Sequence, residues 1–430
     1  MQTSKNTMNM LDNMKIFPLY KALAWDTLFY YAIEFLFLTG VKGLTAAQVL
    51  FVDAFYPLFK FILEIPSNII VQKLGKRRSL ILGNLFIVAD LLLLILATNI
   101  SMIILAWFFS GFGYALKGLT ESNLLYDSIP KTEKRGETFA KIDGRANSIY
   151  YYFDAISAIS TGFLFVVNGY LPMLLSLGIC IISLLLSLRF KDVDTSLSPD
   201  IPTHATSTKQ ILLDLKQTTK FIIQSKRLRS LVIFNGFFCA FLAMYSTLRS
   251  SILTDISLPE QYFGLVYAGL QLISGIASSH QDKFHKHYGN RTLSIFATRT
   301  TISFIILGLS TMIGLNFILT LEIILAMMAI QYAIKGPYYT LIKRYLNNFT
   351  TSAMRTKISL VTELLYSILS ALLRFFCSFL LGITTTAYVY VIIGCIFTVF
   401  FIFLLDYMKN TVGLKPEQYP EKEIKFTALR

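Results

Sequence analysis

The sequence predicts an all-α membrane protein with about twelve transmembrane helices in two six-helix halves. Three observations carry that class. Hydrophobic residues make up 54% of the 430-residue chain and charged residues only 15%, against about 25% charge in an ordinary soluble domain. The mean hydropathy is +0.59, and apolar stretches near or above ~18 residues recur from end to end. Basic residues collect in every second connection, as they do on the cytosolic side of membrane proteins.

The spans read at residues 17–39, 46–71, 79–97, 101–126, 145–167, 171–189, 230–253, 261–280, 292–313, 316–341, 357–381 and 387–408. The chain starts "MQTSKNTMNMLDNMKIF". No small-residue cleavage site follows, and the first apolar run is long enough to span, so it reads as a span and not a signal peptide. The second and third spans meet at "KLGKRRS". Gly75 supplies a permissive backbone for a tight bend, and Lys73, Lys76, Arg77 and Arg78 hold that bend on the inner side. The basic connections are Lys73–Arg78, Lys131–Lys141, Lys191–Arg229, Lys283–Arg291 and Lys343–Arg355. The opposite set, "GVKGLT", "TNIS", "NGYLP", "TDISLPE", "GLN" and "GITTT", holds one basic residue, Lys42. Both termini are therefore expected in the cytosol, in a plasma-membrane protein.

The net charge of +14 is then an orientation signal and an attraction to anionic lipid. Its residues are scattered among loops, so a nucleic-acid partner is not expected. Cys180, Cys239, Cys377 and Cys395 all fall inside spans and suggest neither disulfides nor metal ligation. His280, His285 and His287 share one connection and read as a solvated basic loop, so no metal is expected. No phosphate-binding Gly-Lys-Ser/Thr loop occurs, and no cofactor is expected.

Residues 190–229 are the longest polar connection. "KDVDTSLSPDIPTHATSTKQ" reads as flexible linker. "ILLDLKQTTKFIIQSKRL" has an apolar face at Ile211, Leu212, Leu215 and Ile222 and suits a helix lying along the membrane surface. The expected organisation is an N-terminal half at 1–189, this connection at 190–229, and a C-terminal half at 230–430. An internal repeat supports it. "ALKG" at 115–118 returns as "AIKG" at 333–336. Arg135 precedes Arg355 by 220 positions, and Gly162 precedes Gly382 by 220. Gly75 and Gly289 occupy matching turns.

With these residues the chain resembles the major facilitator superfamily (MFS). The motif that family carries between its second and third spans resembles "NIIVQKLGKRR", where Lys73, Gly75, Lys76 and Arg77 fit. Asn68 stands in place of a glycine and Gln72 in place of an acid. "EIP" (Glu64–Pro66) and "LLYDSI" (Leu124–Ile129) look like bacterial, drug-efflux-like members. The fourth-span "LAWFFSGFG" lacks the arginine, and the fifth-span "YYYFDAISAISTGFLF" the Gly-Pro, that proton-coupled drug antiporters often carry. The resemblance implies a monomeric secondary transporter of a small molecule. Proton-coupled efflux of an amphipathic compound by antiport is the leading expectation, and nutrient uptake by symport or uniport the second. An intramembrane enzyme would need a nucleophile–base pair, yet His280, at a boundary, is the nearest histidine to any span. A non-transporting scaffold would not need so many intramembrane charges.

Those charges are the candidate site, because a charge at bilayer depth costs roughly 2.5–3.5 kcal/mol and marks a cavity or pathway. Asp26, Glu34, Lys60, Lys117 and Asp154 are the transport and proton-coupling candidates. Asp26 and Glu34 are eight positions apart, about 80° around a continuous helix. Lys60–Glu64 and Lys117–Glu121 are i,i+4 pairs on one helix face. The resemblance also implies that spans 1 and 7, and 2 and 11, meet near the outer surface, and spans 4 and 10 near the inner one. That gives the expected gate pairs Glu34–Arg249, Asp53–Arg374 and Glu121–Lys335.

Overall fold

The computed structural model describes residues 2–130, 134–193, 208–350 and 352–409. Lys131, the greater part of the polar linker (194–207) and the tail from 410 lie outside the described residues. The described chain is helical throughout, with no strand. Ten helical stretches are long and apolar enough to cross a membrane.

Two expected spans are not among the ten, and each has a local reason. The first, 17–39, is not one helix. α1 (Gln2–Ala24) stops at the start of a non-helical stretch, and the chain resumes in a single turn, α2 (Glu34–Leu36), and a π-helical turn at Phe37–Val41. Phe29, within the break, holds a positive φ of 68°, which a bulky residue rarely adopts. The expected eighth span is α11 (Phe263–Ser279), which has 17 residues, at the short end of the range for a membrane-spanning helix.

The chain folds as two compact units. The first comprises Met1–Leu44, Phe55–Thr208 and Glu260–Leu265. It contains α1, α2, α4 (Phe55–Leu74), α5 (Lys76–Leu96), α6 (Ile100–Asp127), α7 (Arg135–Val167) and α8 (Leu171–Arg189). α5 packs most heavily on α6, while α1 lies against α7 and α8. Small residues permit the α5–α6 approach, as in membrane helix pairs generally. A Cβ on Gly113 would stand 2.7 Å from Ile87 and 2.8 Å from the Gly83 carbonyl. Gly113→Val is therefore expected to destabilise the purified protein by about 1–3 kcal/mol, the usual effect of overpacking, read as a lower apparent melting temperature. Gly118→Ala on the same helix, where an added Cβ meets nothing within 4 Å, is the control expected to melt with the native chain.

The second unit comprises Thr45–Ala54, Lys209–Pro259 and Val266–Arg430. It holds α3 (Ala46–Asp53), the amphipathic α9 (Thr208–Gln224), α10 (Lys226–Asp255), most of α11, α12 (Gln281–Tyr288), α13 (Thr292–Met312), α14 (Phe317–Asn348), α15 (Ser352–Ile383) and α16 (Thr386–Lys409). α10 is its most enclosed helix, with 78% of its apolar window buried, and it packs on α15, α16 and α14. Phe234, Phe238 and Phe241 on α10 interleave with Phe397, Phe401 and Tyr338. α9, expected to lie along the membrane surface, buries Thr218 and Ile222 in the unit and ties Asp214 to Lys357 at 3.0 Å. Its apolar side therefore meets protein at Ile222.

Several turn devices repeat along the chain. Gly75 and Gly289 both hold positive φ, at 82° and 54°. Arg135 donates to the Tyr126 carbonyl and Arg355 to the Asn347 carbonyl, so each caps the last turn of the preceding helix, where carbonyls lack intrahelical donors. Gly162 and Gly382 do not correspond in this way. An added Cβ on Gly162 would collide with the Gln261 carbonyl, whereas Gly382 has open space. Lys42, the exception in the charge pattern, donates to the Ile95 and Ala97 carbonyls at 2.7 and 3.1 Å. It caps α5, a favourable place for a cation at a helix C-terminus.

Candidate functional site

Inside a membrane every freed backbone group needs a partner from protein. The break after α1 frees several carbonyls in the first unit, and side chains of other helices satisfy them. Lys117 of α6, 3% exposed, donates to the Ala24 carbonyl. Ser176 of α8 donates to Leu28 at 2.6 Å, while Thr161 of α7, which donates to Ser157 at 2.6 Å, makes only a long contact of 3.4 Å with the Phe29 carbonyl. The break is thus built into the packing and held by α6 and α8.

Asp26 sits in this break. Its Oδ1 accepts the Thr27 amide at 3.0 Å, and the Tyr150 hydroxyl makes a long contact with Oδ2 at 3.5 Å. The charges of Lys117 and Asp154 both act on or from this carboxylate. Three of the five coupling candidates, Asp26, Lys117 and Asp154, therefore share one polar region. Glu34 lies at the start of α2, accepts from Tyr30 at 3.2 Å, and acts on Tyr31, as Asp26 does. The helical-wheel angle between Asp26 and Glu34 does not apply, because the helix is interrupted between them. Lys60 lies on α4, half-buried, one turn from Glu64.

Lys117 also stands beside Glu121, as the i,i+4 spacing predicts. Glu121 is 8% exposed and one of its oxygens has no partner. Tyr20, which accepts from Asn84 at 2.9 Å, neighbours the same carboxylate. A buried ion pair, Lys21–Asp143, joins α1 to α7. The sequence reading does not contain this pair: Lys21 lies near the start of an apolar run, and its partner is 122 positions away.

The signature turn is tied down at one end of the first unit. Lys76 pairs with Asp127, the acid of "LLYDSI". Arg77 donates to the Phe190 carbonyl at 2.5 Å and to Leu188 at 3.2 Å. Lys73 is exposed at the end of α4. The two departures from the family pattern answer each other, since Gln72 donates to Asn68 at 3.0 Å. The motif's acid is absent at Gln72, and Asp127 supplies the carboxylate for this turn.

In the second unit, Arg249 on α10 is 4% exposed. It donates to the Tyr332 hydroxyl at 2.5 Å and lies 5.2 Å from the Tyr267 ring centre. Lys335 stands 5.1 Å from the Tyr332 ring centre. Asp53, at the end of α3, accepts from Thr247 at 2.8 Å and feels the charge of Arg374. Arg374 itself donates to Ser370 and to the Ala243 carbonyl. Of the expected gate pairs, Asp53 and Arg374 thus fall in one unit as near neighbours without a direct ion pair. Glu34 and Arg249 belong to different units, as do Glu121 and Lys335. A cavity of about 910 Å³ opens in the second unit, lined by Thr45, Asp255, Gly314, Thr320, Thr385 and Thr386 among others.

A helical membrane bundle whose interior charges cluster at a broken helix has the construction of a carrier. The Major Facilitator Superfamily model matches residues 16–300, and the chain belongs to that family: it is a multi-pass membrane transporter of the secondary type and not an enzyme. Solved structures share its fold. A point mutant of the nucleoside transporter NupG aligns with a TM-score of 0.71 at 12% identity, covering 93% of this chain and 100% of that one. A POT family transporter in complex with 5-aminolevulinic acid aligns at 0.63 and 14% identity, covering 94% and 96%. A peptide transporter POT mutant bound to sulfate aligns at 0.65 and 13% identity, covering 95% and 94%. No curated protein matches the sequence.

Proposed function

We propose that the chain is a proton-coupled carrier that exports a small amphipathic compound across the plasma membrane by alternating access, with both termini in the cytosol. The observation that carries the coupling is the placement of Asp26. A titratable carboxylate in a helix break, near a buried lysine and a second acid, has a proton affinity that changes when any neighbour moves. Movement of one half against the other around a midplane site is how carriers of this architecture work, with residues 1–189 and 230–430 as the moving halves. The alternation of basic connections supports the orientation, and "EIP" and "LLYDSI" support export. A second reading, uptake of a nutrient with a proton, draws support from the nucleoside and peptide transporters among the similar folds.

A transport screen in inverted vesicles, with and without an imposed proton gradient, tests the reading. Gradient-dependent accumulation of a compound inside inverted vesicles is expected for export. Asp26→Asn should abolish that accumulation while leaving gradient-independent exchange, and Glu34→Gln is the parallel test. Unchanged proton-driven accumulation in both variants removes these residues from coupling. Accumulation only in right-side-out vesicles reverses the direction in favour of uptake.

A further inference from the structure

The second unit contains a buried cationic group with an unusual set of neighbours. Arg249 presents five N–H donors, yet its one hydrogen bond goes to a neutral phenol, Tyr332 Oη, at 2.5 Å. No carboxylate forms an ion pair with it among the described residues, and Tyr332, Tyr245, Tyr267 and Tyr390 lie within reach of its charge. A charge inside a membrane ordinarily pairs with its opposite. Here a second cation, Lys335, lies 5.1 Å from the ring centre of the same Tyr332, also without a carboxylate in ion-pair contact.

Tyr332 links the two cations in a particular sense. Its oxygen accepts from Arg249, so its own O–H proton remains to be donated. No acceptor takes that proton among the described residues. The remaining Arg249 N–H groups and the Tyr332 O–H are therefore adjacent donors with no acceptor among the described residues, beside a second positive charge. Tyr267 supplies an aromatic wall 5.2 Å from the guanidinium. Tyr267 and Lys335 are half-buried, whereas Arg249 and Tyr332 are buried. Planar guanidinium forks bind carboxylate and phosphate groups with two parallel bonds.

We propose that Arg249, Tyr332 and Lys335 form an anion-binding subsite that takes a carboxylate or phosphate group of the transported molecule. The subsite rests on the reading of the chain as a carrier and names the chemical class of its cargo: an organic anion whose apolar body lies along Tyr267.

The test uses the purified full chain in lipid nanodiscs at fixed ionic strength. Thermal unfolding is measured across titrations of acetate, benzoate and inorganic phosphate. The neutral benzamide and the cationic benzamidine are the matched controls. Benzoate is expected to raise the melting temperature, at concentrations at least tenfold below those at which benzamide acts, and benzamidine is expected to have no effect. Acetate and phosphate separate the two anion sources: phosphate acting at lower concentration than either carboxylate assigns a phosphate cargo, and the reverse a carboxylate. Arg249→Gln should weaken the benzoate response at least tenfold, and Tyr332→Phe and Lys335→Gln about threefold or more each.

Equal responses to benzoate and benzamide, or no response to any of the anions, overturn the subsite. A merely structural Arg249 would make Arg249→Gln melt lower without ligand while its benzoate response stays intact, and that result also overturns it. Where Arg249→Gln yields no folded protein, the charge preference of the native chain and the Tyr332→Phe and Lys335→Gln titrations decide. Binding is measured without transport, so the two readings fail separately. Anion binding through Arg249 in a chain that moves nothing refutes the carrier reading alone, and transport of a compound by a chain with no anion preference refutes only the subsite.

Discussion

Replacing Lys117 with methionine is expected to lower the apparent melting temperature of the purified protein by several degrees. The ammonium lies 3% exposed, donates to the Ala24 carbonyl at the end of α1, and stands beside Glu121. Methionine fills similar space but donates nothing. The substitution strands a carbonyl at a helix C-terminus and leaves a buried carboxylate without its nearest positive charge. Leaving a buried acceptor unsatisfied costs about 1–3 kcal/mol, and more where the group is charged. A second substitution separates the two consequences. Glu121→Gln added to Lys117→Met removes the stranded charge and should recover part of the loss, a non-additivity expected of residues that couple electrostatically. If Lys117→Met melts with the native protein, the broken first helix does not depend on the ammonium. If the double variant is no more stable than the single one, Glu121 is not the group that suffers.

That Lys117 and Glu121 share one helix face was legible in the sequence from the i,i+4 spacing; that the ammonium bonds the Ala24 carbonyl was not. The signature turn was legible for a similar reason, since a glycine bracketed by cations between two apolar runs leaves few alternatives to a tight bend. The partners that complete these sites were not. Lys21 meets Asp143 and Lys76 meets Asp127 across 122 and 51 positions, and such contacts depend on which helices neighbour each other. The break at residues 25–33 was hidden for a different reason. Hydropathy measures transfer into an apolar phase, and an unwound apolar segment scores the same as a helical one. Phe29, with its positive φ, gives none of the warning a glycine would give. The break it sits in is held by tertiary partners, Lys117 and Ser176, on two other helices. The missing acid at Gln72 was visible at once, but its meaning depended on Asn68, one turn back on the same face.

Charge reversal at Asp53 is expected to give the second large effect. Asp53 ends α3 and is 8% exposed. Its Oδ2 accepts from Thr247, while Oδ1 has no donor. Arg374 on α15 donates to Ser370 and Ala243, while its Nε has no acceptor. The carboxylate and the guanidinium influence each other electrostatically but make no direct bond. Both lie in the second unit, where α3 packs on α15 and Ser378 donates to the Ala47 carbonyl at 2.7 Å. A half-satisfied acid near a half-satisfied base is the arrangement a gate requires, because a small slide of α3 along α15 converts proximity into a charge-assisted bond. We propose that this bond forms in one state of the transport cycle and biases it by ~1–3 kcal/mol, the usual scale of coupling between states. Asp53→Arg places two like charges in the same packed region and should impair both flux and thermal stability. Adding Arg374→Asp restores opposite charges with their positions exchanged and should recover part of both. Asp53→Asn, which keeps the Thr247 contact but removes the charge, should lose flux with less loss of stability. The gate fails if the exchanged pair is no better than the worse single variant and if a structure of a second transport state also holds the two side chains beyond about 6 Å, the outer range of a close charge partner. Recovery of stability without recovery of flux would leave Asp53 and Arg374 as a brace for α3 and remove them from the transport cycle.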